Sequence, residues 1–287
     1  MAAPPVTVED RGSAPRAPLV IEPLRGWVGG MWREAWEYRE LLYFLVWRDL
    51  KVRYKQTAIG AAWAVLQPLL AALLFTLVFG RFAGLPSDGV PYPIFAYVGL
   101  LPWQLFAYAL TESTNSVVTH QQLIKKVYFP RIFLPLTPVV AAMVDFVVAG
   151  TVLVGLLAVF RVAPSGKVLL LPVALLGAVM AAFAVAVWLA ALNAKYRDVR
   201  YAVPFLVQVW FFATPIVYPS SVIPAPVRPL WALNPMASVV DAFRWALLGA
   251  PAPPLAAVSA SCAAVLLLLV GGVRFFRRTE ATIAEIV

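Results

Sequence analysis

Apolar residues along this 287-residue chain gather into long runs separated by short polar and basic intervals. Six runs stand out, over residues 61–80, 94–118, 132–160, 168–192, 201–218 and 254–273. Each offers roughly the 20 residues that a helix needs to cross the hydrocarbon core of a bilayer, apart from the shorter fifth. The pattern predicts an all-α polytopic membrane protein with six transmembrane helices. Before them come residues 1–26, a Pro- and Ala-rich tail without the apolar core of a secretory signal, expected to be disordered, and residues 27–60, read as an interface helix followed by a basic cluster. The six-helix domain fills 61–273, and residues 274–287 form a short C-terminal tail.

The intervals carry their own patterns. Residues 119–131, THQQLIKKVYFPR, lie between two runs that form a hairpin, so they project from one membrane face. Leu123, Ile124, Val127 and Tyr128 fall on one helical stripe, and Pro130 stops it, which predicts a short amphipathic helix with an apolar face for a soluble partner. A solvated loop whose lysines only set topology would carry the same charges. Further upstream, Trp32, Trp36, Tyr43 and Trp47 share one flank while Arg33, Glu37 and Glu40 lie elsewhere, as in a helix lying in the membrane interface; a cytosolic recognition helix is the alternative. Residues 48–60, RDLKVRYKQTAIG, pack Arg48, Lys51, Arg53 and Lys55 just before the first run. That cluster is either a topology signal or a site for lipid phosphate.

Residues 219–253 are neither a tight turn nor a polar ectodomain. Met236, Val239, Val240, Phe243 and Leu247 recur at helical spacing, with Asn234 as N-cap, Pro235 at the first position and Gly249 to end the helix. A helix this apolar and too short to span is expected to dip into the outer leaflet as a re-entrant gate, or else to lie flat on the outer surface.

Composition agrees with the pattern: the chain is 62% hydrophobic and 13% charged, with mean hydropathy +0.83. The net charge of +9 is distributed unevenly. With the N-terminus inside, 18 Lys and Arg fall in cytoplasmic segments, among them Lys125, Lys126 and Arg131, and five fall outside, which places both termini in the cytoplasm. Basic residues in these positions are topology and phospholipid signals, and nucleic acid is not an expected partner. Cys262 has no cysteine partner and reads as a small buried hydrophobe; the single His120 reads as a polar residue at a helix end.

Several chemistries are missing. No GxxxxGK[ST] loop occurs, so the chain has no such device for ATP. Glu112 and Asp145 are the only acids within the runs, too few for a carboxylate relay, and Asp145 reads either as a packing residue bonded to a neighbouring helix or as a functional site. Aromatics, in contrast, are abundant. Trp63 and Gln67 lie one turn apart on the first run, as do Gln208 and Phe212 on the fifth, and an amide beside an aromatic face suits a sugar polymer. Trp63, Gln67, Phe75, Tyr97, Trp103, Phe106, Gln208, Phe212 and Tyr218 are the candidate lining of a polymer passage, although lipid-facing and core aromatics would look alike one at a time.

Five segments, RDLKVRYKQTAIGAAWAVLQP (48–68), GLLPWQLFAYAL (99–110), LIKKVYFPRIFLPL (123–136), YRDVRYAVPFLVQVWFFATPIVYP (196–219) and NPMASVVDAFRWALLG (234–249), together resemble the transmembrane subunits of ABC-type polysaccharide exporters, in particular the O-antigen type. The resemblance implies a homodimer bound to two copies of a separate ATPase chain, which holds the ATP and Mg, with no cofactor in this chain. It implies a substrate of polysaccharide on polyprenyl pyrophosphate and a place in the bacterial plasma membrane. Carried onto this sequence, Arg48, Lys51, Arg53, Tyr54 and Lys55 become the inner gate and lipid-phosphate contact. Coupling to the ATPase falls on Gln121, Leu123, Ile124, Lys125, Lys126, Val127, Tyr128, Phe129 and Arg131, and the outer gate on 219–249. Arg197 and Asp198 belong to the same signature and are expected to pair as a loop brace. A drug or small-lipid exporter permease is the alternative function; a membrane sugar transferase is disfavoured for want of a catalytic acid constellation.

Overall fold

The computed structural model describes residues 36–55, 62–127, 129–164 and 166–286, and Tyr38–Val287 forms one compact unit. The described residues are helical without strands. Helix α1 is Arg39–Lys55; α2, Ala62–Phe75, continues as a π-helix over Thr76–Phe82. Then come α3, Tyr92–Thr119, α4, Gln121–Lys126, and α5, Phe133–Val159. After a 3₁₀ turn at Gly166–Leu170 follow α6, Leu171–Lys195, and α7, Val199–Ala213. Short α8, Arg228–Ala232, precedes α9, Pro235–Leu248, and α10, Leu255–Ile286.

Among the described residues, five stretches are long and apolar enough to cross a membrane: Val65–Phe82, Tyr92–Thr119, Phe133–Val159, Gly166–Lys195 and Leu255–Glu280. The fifth predicted run is different, because regular helix stops at Ala213 and leaves 15 residues, about 22 Å at the usual helical rise.

Burial identifies the centre of the bundle. Of the spanning stretch of α3, 78% is buried, against 11% for α2 and 17% for α10, so α3 is the post around which the others are arranged. It packs on α5 and α6. Helix α6 meets its neighbours through alanine: Ala178, Ala181, Ala182, Ala186 and Ala190 are all fully buried. Side chains this small let backbones approach closely, which is how helices associate where lipid removes the usual hydrophobic drive. On another side of α6, Trp188 donates its indole N–H to the Leu268 carbonyl at 2.7 Å and stacks on Phe275 at 5.0 Å. Gly272 makes that approach possible, since a Cβ there would lie 2.7 Å from Trp188 Cδ1.

Helix α9 follows its predicted ends. The Asn234 side chain accepts from the Met236 N–H, Pro235 opens the helix, and Gly249 closes it at φ 69°. Its predicted stripe, Met236, Val239, Val240, Phe243 and Leu247, is buried in the bundle, where α9 packs on α3 and α6. Cys262, expected inside, is instead exposed. The reason is local: its neighbour Ser261 takes the inward position, sharing a hydrogen bond with Ser238 and donating to the Ala232 carbonyl, and α10 has little buried face to spare.

Candidate functional site

A cavity of about 930 Å³ opens among α1, α2, α3, α5 and α7. Its walls are chemically mixed. Trp63, Trp103, Tyr108 and Phe211 give aromatic surface, Gln67 and Gln104 give amides, and Arg53, Tyr54, Thr111, Glu112 and Asp145 give charge and hydroxyl groups. Trp103 is fixed between Phe106 at 5.4 Å and Phe211 at 5.6 Å, so this wall is held in place from behind.

The polar end of the cavity is built by α1 against α5. Asp145 is the thirteenth residue of α5, about 18 Å along the helix axis from its start. There its two oxygens accept from Arg53 Nη1 and from the Tyr54 hydroxyl. The Arg53 guanidinium also lies over the Tyr108 ring at 4.0 Å. Burial, with the Asp145 bond second, pushes the Tyr54 hydroxyl up to about 12, so it remains a proton donor at working pH. A charge pair at such depth gains from mutual attraction in a medium that screens poorly and loses solvation in return, and removing either partner strands the other.

The other cationic residues of α1 are engaged separately. Arg48 pairs with Asp49 at 2.9 Å and contacts Nε2 of His120 at the end of α3. His120 Nδ1 lies 2.7 Å from the Ser116 carbonyl, which can only accept. The ring proton therefore sits on Nδ1, and Nε2 is left to accept from Arg48. Lys51 lies 4.3 Å over the Trp47 ring, and Lys55 is exposed at the end of the helix. Thus the four clustered cations do not converge on one point, and of them only Arg53 lines the cavity.

The segment after α3 is a six-residue helix, α4, ending at an extended Val127. Gln122, Lys125, Lys126 and Val127 are exposed, Gln121, Leu123 and Ile124 half-buried, and Phe129 buried at 3% exposure. Tyr128 lies outside the described residues. Arg131 ties the segment to α10, donating to the Glu280 carbonyl at 2.5 Å and facing its carboxylate at 3.9 Å.

At the opposite end of the chain's path, Arg244 of α9 is buried at 3% exposure. Its guanidinium donates to the Pro215 and Ile216 carbonyls, each at 2.6 Å, and lies 3.6 Å over the Phe95 ring. Those carbonyls belong to the irregular backbone that follows α7, so the arginine supplies the donors that helix would have supplied. Gly99 leaves room for it: a Cβ there would meet Arg244 Nη2 at 3.1 Å. Nearby, Ser220 donates to the Asp241 carboxylate, with 2.6 Å to one of its oxygens.

Residues 40–248 match the family model described as ABC-2 type transporter. The chain belongs to the ABC-2 type transporter family. Among relatives, the O-antigen export system permease protein RfbA of Myxococcus xanthus is 35% identical over 215 residues, covering 74% of this chain and 82% of that protein. A protein of the same name from Klebsiella pneumoniae is 34% identical over 206 residues, covering 71% and 79%. The polysialic acid transport protein KpsM of Escherichia coli is 25% identical over 76 residues, covering 26% and 30%. The ABC-2 match begins inside α1 and ends with α9, so both the cavity and the Arg244 cluster fall within it.

Within this ABC-2 chain the predicted passage residues part company. Trp63, Gln67 and Trp103 meet Arg53 and Tyr54 at the cavity. Tyr97 and Phe106 are fully buried instead, and the Tyr97 hydroxyl donates to the Ala149 carbonyl at 2.8 Å, locking α3 to α5. Phe75 packs on Phe79 and Phe211. Gln208 and Phe212 are exposed on α7, and Tyr218 donates to the Phe212 carbonyl at 3.0 Å. Arg197 and Asp198 are exposed, with no ion pair between them among the described residues. The loop they occupy is held by Asn193, which donates to the Thr114 carbonyl at 2.8 Å and accepts from the Arg200 N–H at 3.2 Å. Nothing in the sequence distinguished Asn193, whereas Asp145 carried the signal of a carboxylate in an apolar run.

Proposed function

We propose that the chain is the membrane-spanning permease of an ATP-driven exporter that moves polysaccharide on polyprenyl pyrophosphate from the cytoplasm to the outer face of the bacterial plasma membrane. The observation that carries this reading is the cavity: aromatic faces and amides suited to sugar rings run up to an arginine suited to an anionic head group. The names of the relatives, permeases of O-antigen export, point to the same cargo. In this reading α7 completes a sixth crossing together with the irregular 214–218, α9 is a re-entrant outer gate, and both termini lie in the cytoplasm. Two copies of the chain pair through the exposed apolar faces of α2 and α7, and each α4 docks on a separate ATPase subunit that binds ATP and Mg. Arg48, Lys51, Arg53, Tyr54 and Lys55 form the inner gate, with Arg53 the contact to the head group.

The test is substrate-stimulated turnover. The chain reconstituted with its cognate ATPase should hydrolyse ATP faster when polyprenyl pyrophosphate-linked polysaccharide is added, and not when a lipophilic drug is. Stimulation by the drug alone would assign the chain to small-molecule export.

A further inference from the structure

Asp145 stands deep among apolar helices, yet its carboxylate is not idle. Both oxygens are occupied, one by Arg53 and one by Tyr54, and all three side chains line the cavity. The ion-paired side chains keep 28% and 24% of their surface accessible, so the pair can be reached from the cavity rather than being sealed behind it. Through this pair the C-terminal turn of α1 is fastened to the middle of α5. The same guanidinium is the cation that an incoming anion would meet in the cavity, since Arg48 is engaged by Asp49 and His120 elsewhere.

Resting on the reading of the chain as a permease for lipid-linked polymer, we infer that Asp145 is a built-in competitor for the pyrophosphate head group. A head group reaching Arg53 takes the guanidinium from Asp145, and loss of the pair releases α1 from α5. A pyrophosphate carries more charge than a carboxylate and can present two oxygens to the guanidinium fork, whereas Asp145 divides its two between Arg53 and Tyr54, so the exchange runs toward the ligand. A neutral lipid offers nothing to exchange, and the pair stays closed. Once displaced, the Asp145 carboxylate and the head group are like charges in one poorly screened space, and their repulsion drives the α1 turn and α5 apart. Opening draws on binding energy, so apparent affinity falls by the fraction of chains in which Arg53 is free.

The test uses the full-length chain in nanodiscs of neutral phosphatidylcholine, with undecaprenyl pyrophosphate as probe. Two quantities are read: its dissociation constant, and amide hydrogen exchange over residues 48–55. D145N should bind the probe about tenfold more tightly than the wild type and exchange rapidly there even without it. R53A should bind about tenfold more weakly, and R53A/D145N no better than R53A. R53D/D145R, which rebuilds the pair with its charges exchanged, should keep slow exchange and show that the fold tolerates the substitutions. If the wild type binds the probe and D145N binds it no more tightly, the competitor role is overturned while the permease reading stands. Absence of probe binding to both chains would overturn the head-group reading itself. Rapid exchange produced by phosphatidylglycerol nanodiscs alone would make ordinary phospholipid the displacing anion and defeat the assignment to pyrophosphate.

Discussion

At the scale of single residues, the most consequential side chains are polar groups placed where water is scarce. Arg244 supplies two 2.6 Å donors to carbonyls that no helix satisfies, and its burial is repaid by those bonds and by the Phe95 face. R244A should therefore cost roughly 2–4 kcal/mol, read as a lower melting temperature in detergent, because both carbonyls lose their donor together. R244K should recover only part of that loss, since an ammonium cannot reproduce the planar fork. Asp241 gives a pH signature. Burial, the largest influence, holds its carboxyl above the ordinary value of 3.8 despite the opposing bond from Ser220. The folded chain thus keeps this proton to higher pH than the unfolded chain, and the stability it confers is present at low pH and lost as pH rises through the folded value. D241N should flatten the fall in melting temperature that sets in as pH rises above the ordinary carboxyl value. A steeper fall in D241N would contradict the direction of the shift.

At the scale of elements, helix ends and stripes were legible where they depend on local chemistry. Asn234, Pro235 and Gly249 bound α9 as their side chains and backbone preferences require. A helix at α4 was also legible, but neither its end nor its outward face was: it stops at Lys126 rather than at Pro130, so Val127, expected on one helical stripe with Leu123, Ile124 and Tyr128, is already extended. In the fold Leu123 and Ile124 turn half inward, and exposure falls to Lys125, Lys126 and Val127. The proposed docking surface therefore behaves differently from its support. K125E/K126E should weaken recovery of the ATPase complex about tenfold while leaving the melting temperature of the chain alone, because rim charges act on encounter and not on the core. F129A should do the reverse, destabilising the chain by about 3 kcal/mol through loss of a buried ring. Pull-down against a melting curve separates the two.

At the scale of the molecule, apolar runs were enough to read an all-helical membrane protein, since backbone in lipid has few other ways to satisfy itself. They did not reveal that regular helix in the fifth run would end at Ala213, nor that Tyr97 and Phe106 would be consumed by packing within one chain. Those outcomes depend on which faces meet, and apolar faces look alike in sequence whether they meet lipid, a neighbouring helix or a second copy. The pairing proposed above rests on the exposed Leu66, Leu70 and Leu73 of α2, Leu77 of the π-helix that continues it, and Phe205, Val209 and Phe212 of α7. With the exposed Cys262 replaced by serine, a cysteine at Phe212 should crosslink two chains in native membranes, and a solely monomeric product would count against pairing through α7.

The central claim, export of lipid-linked polysaccharide, is tested most directly in inverted vesicles containing this chain and its ATPase. Lipid-linked polymer is added outside together with ATP, and its protection from an added endoglycosidase is followed. The account predicts that polymer becomes protected only when ATP is hydrolysed, and that R53A slows the process. Polymer that stays fully digestible in vesicles whose ATPase is turning over would contradict it.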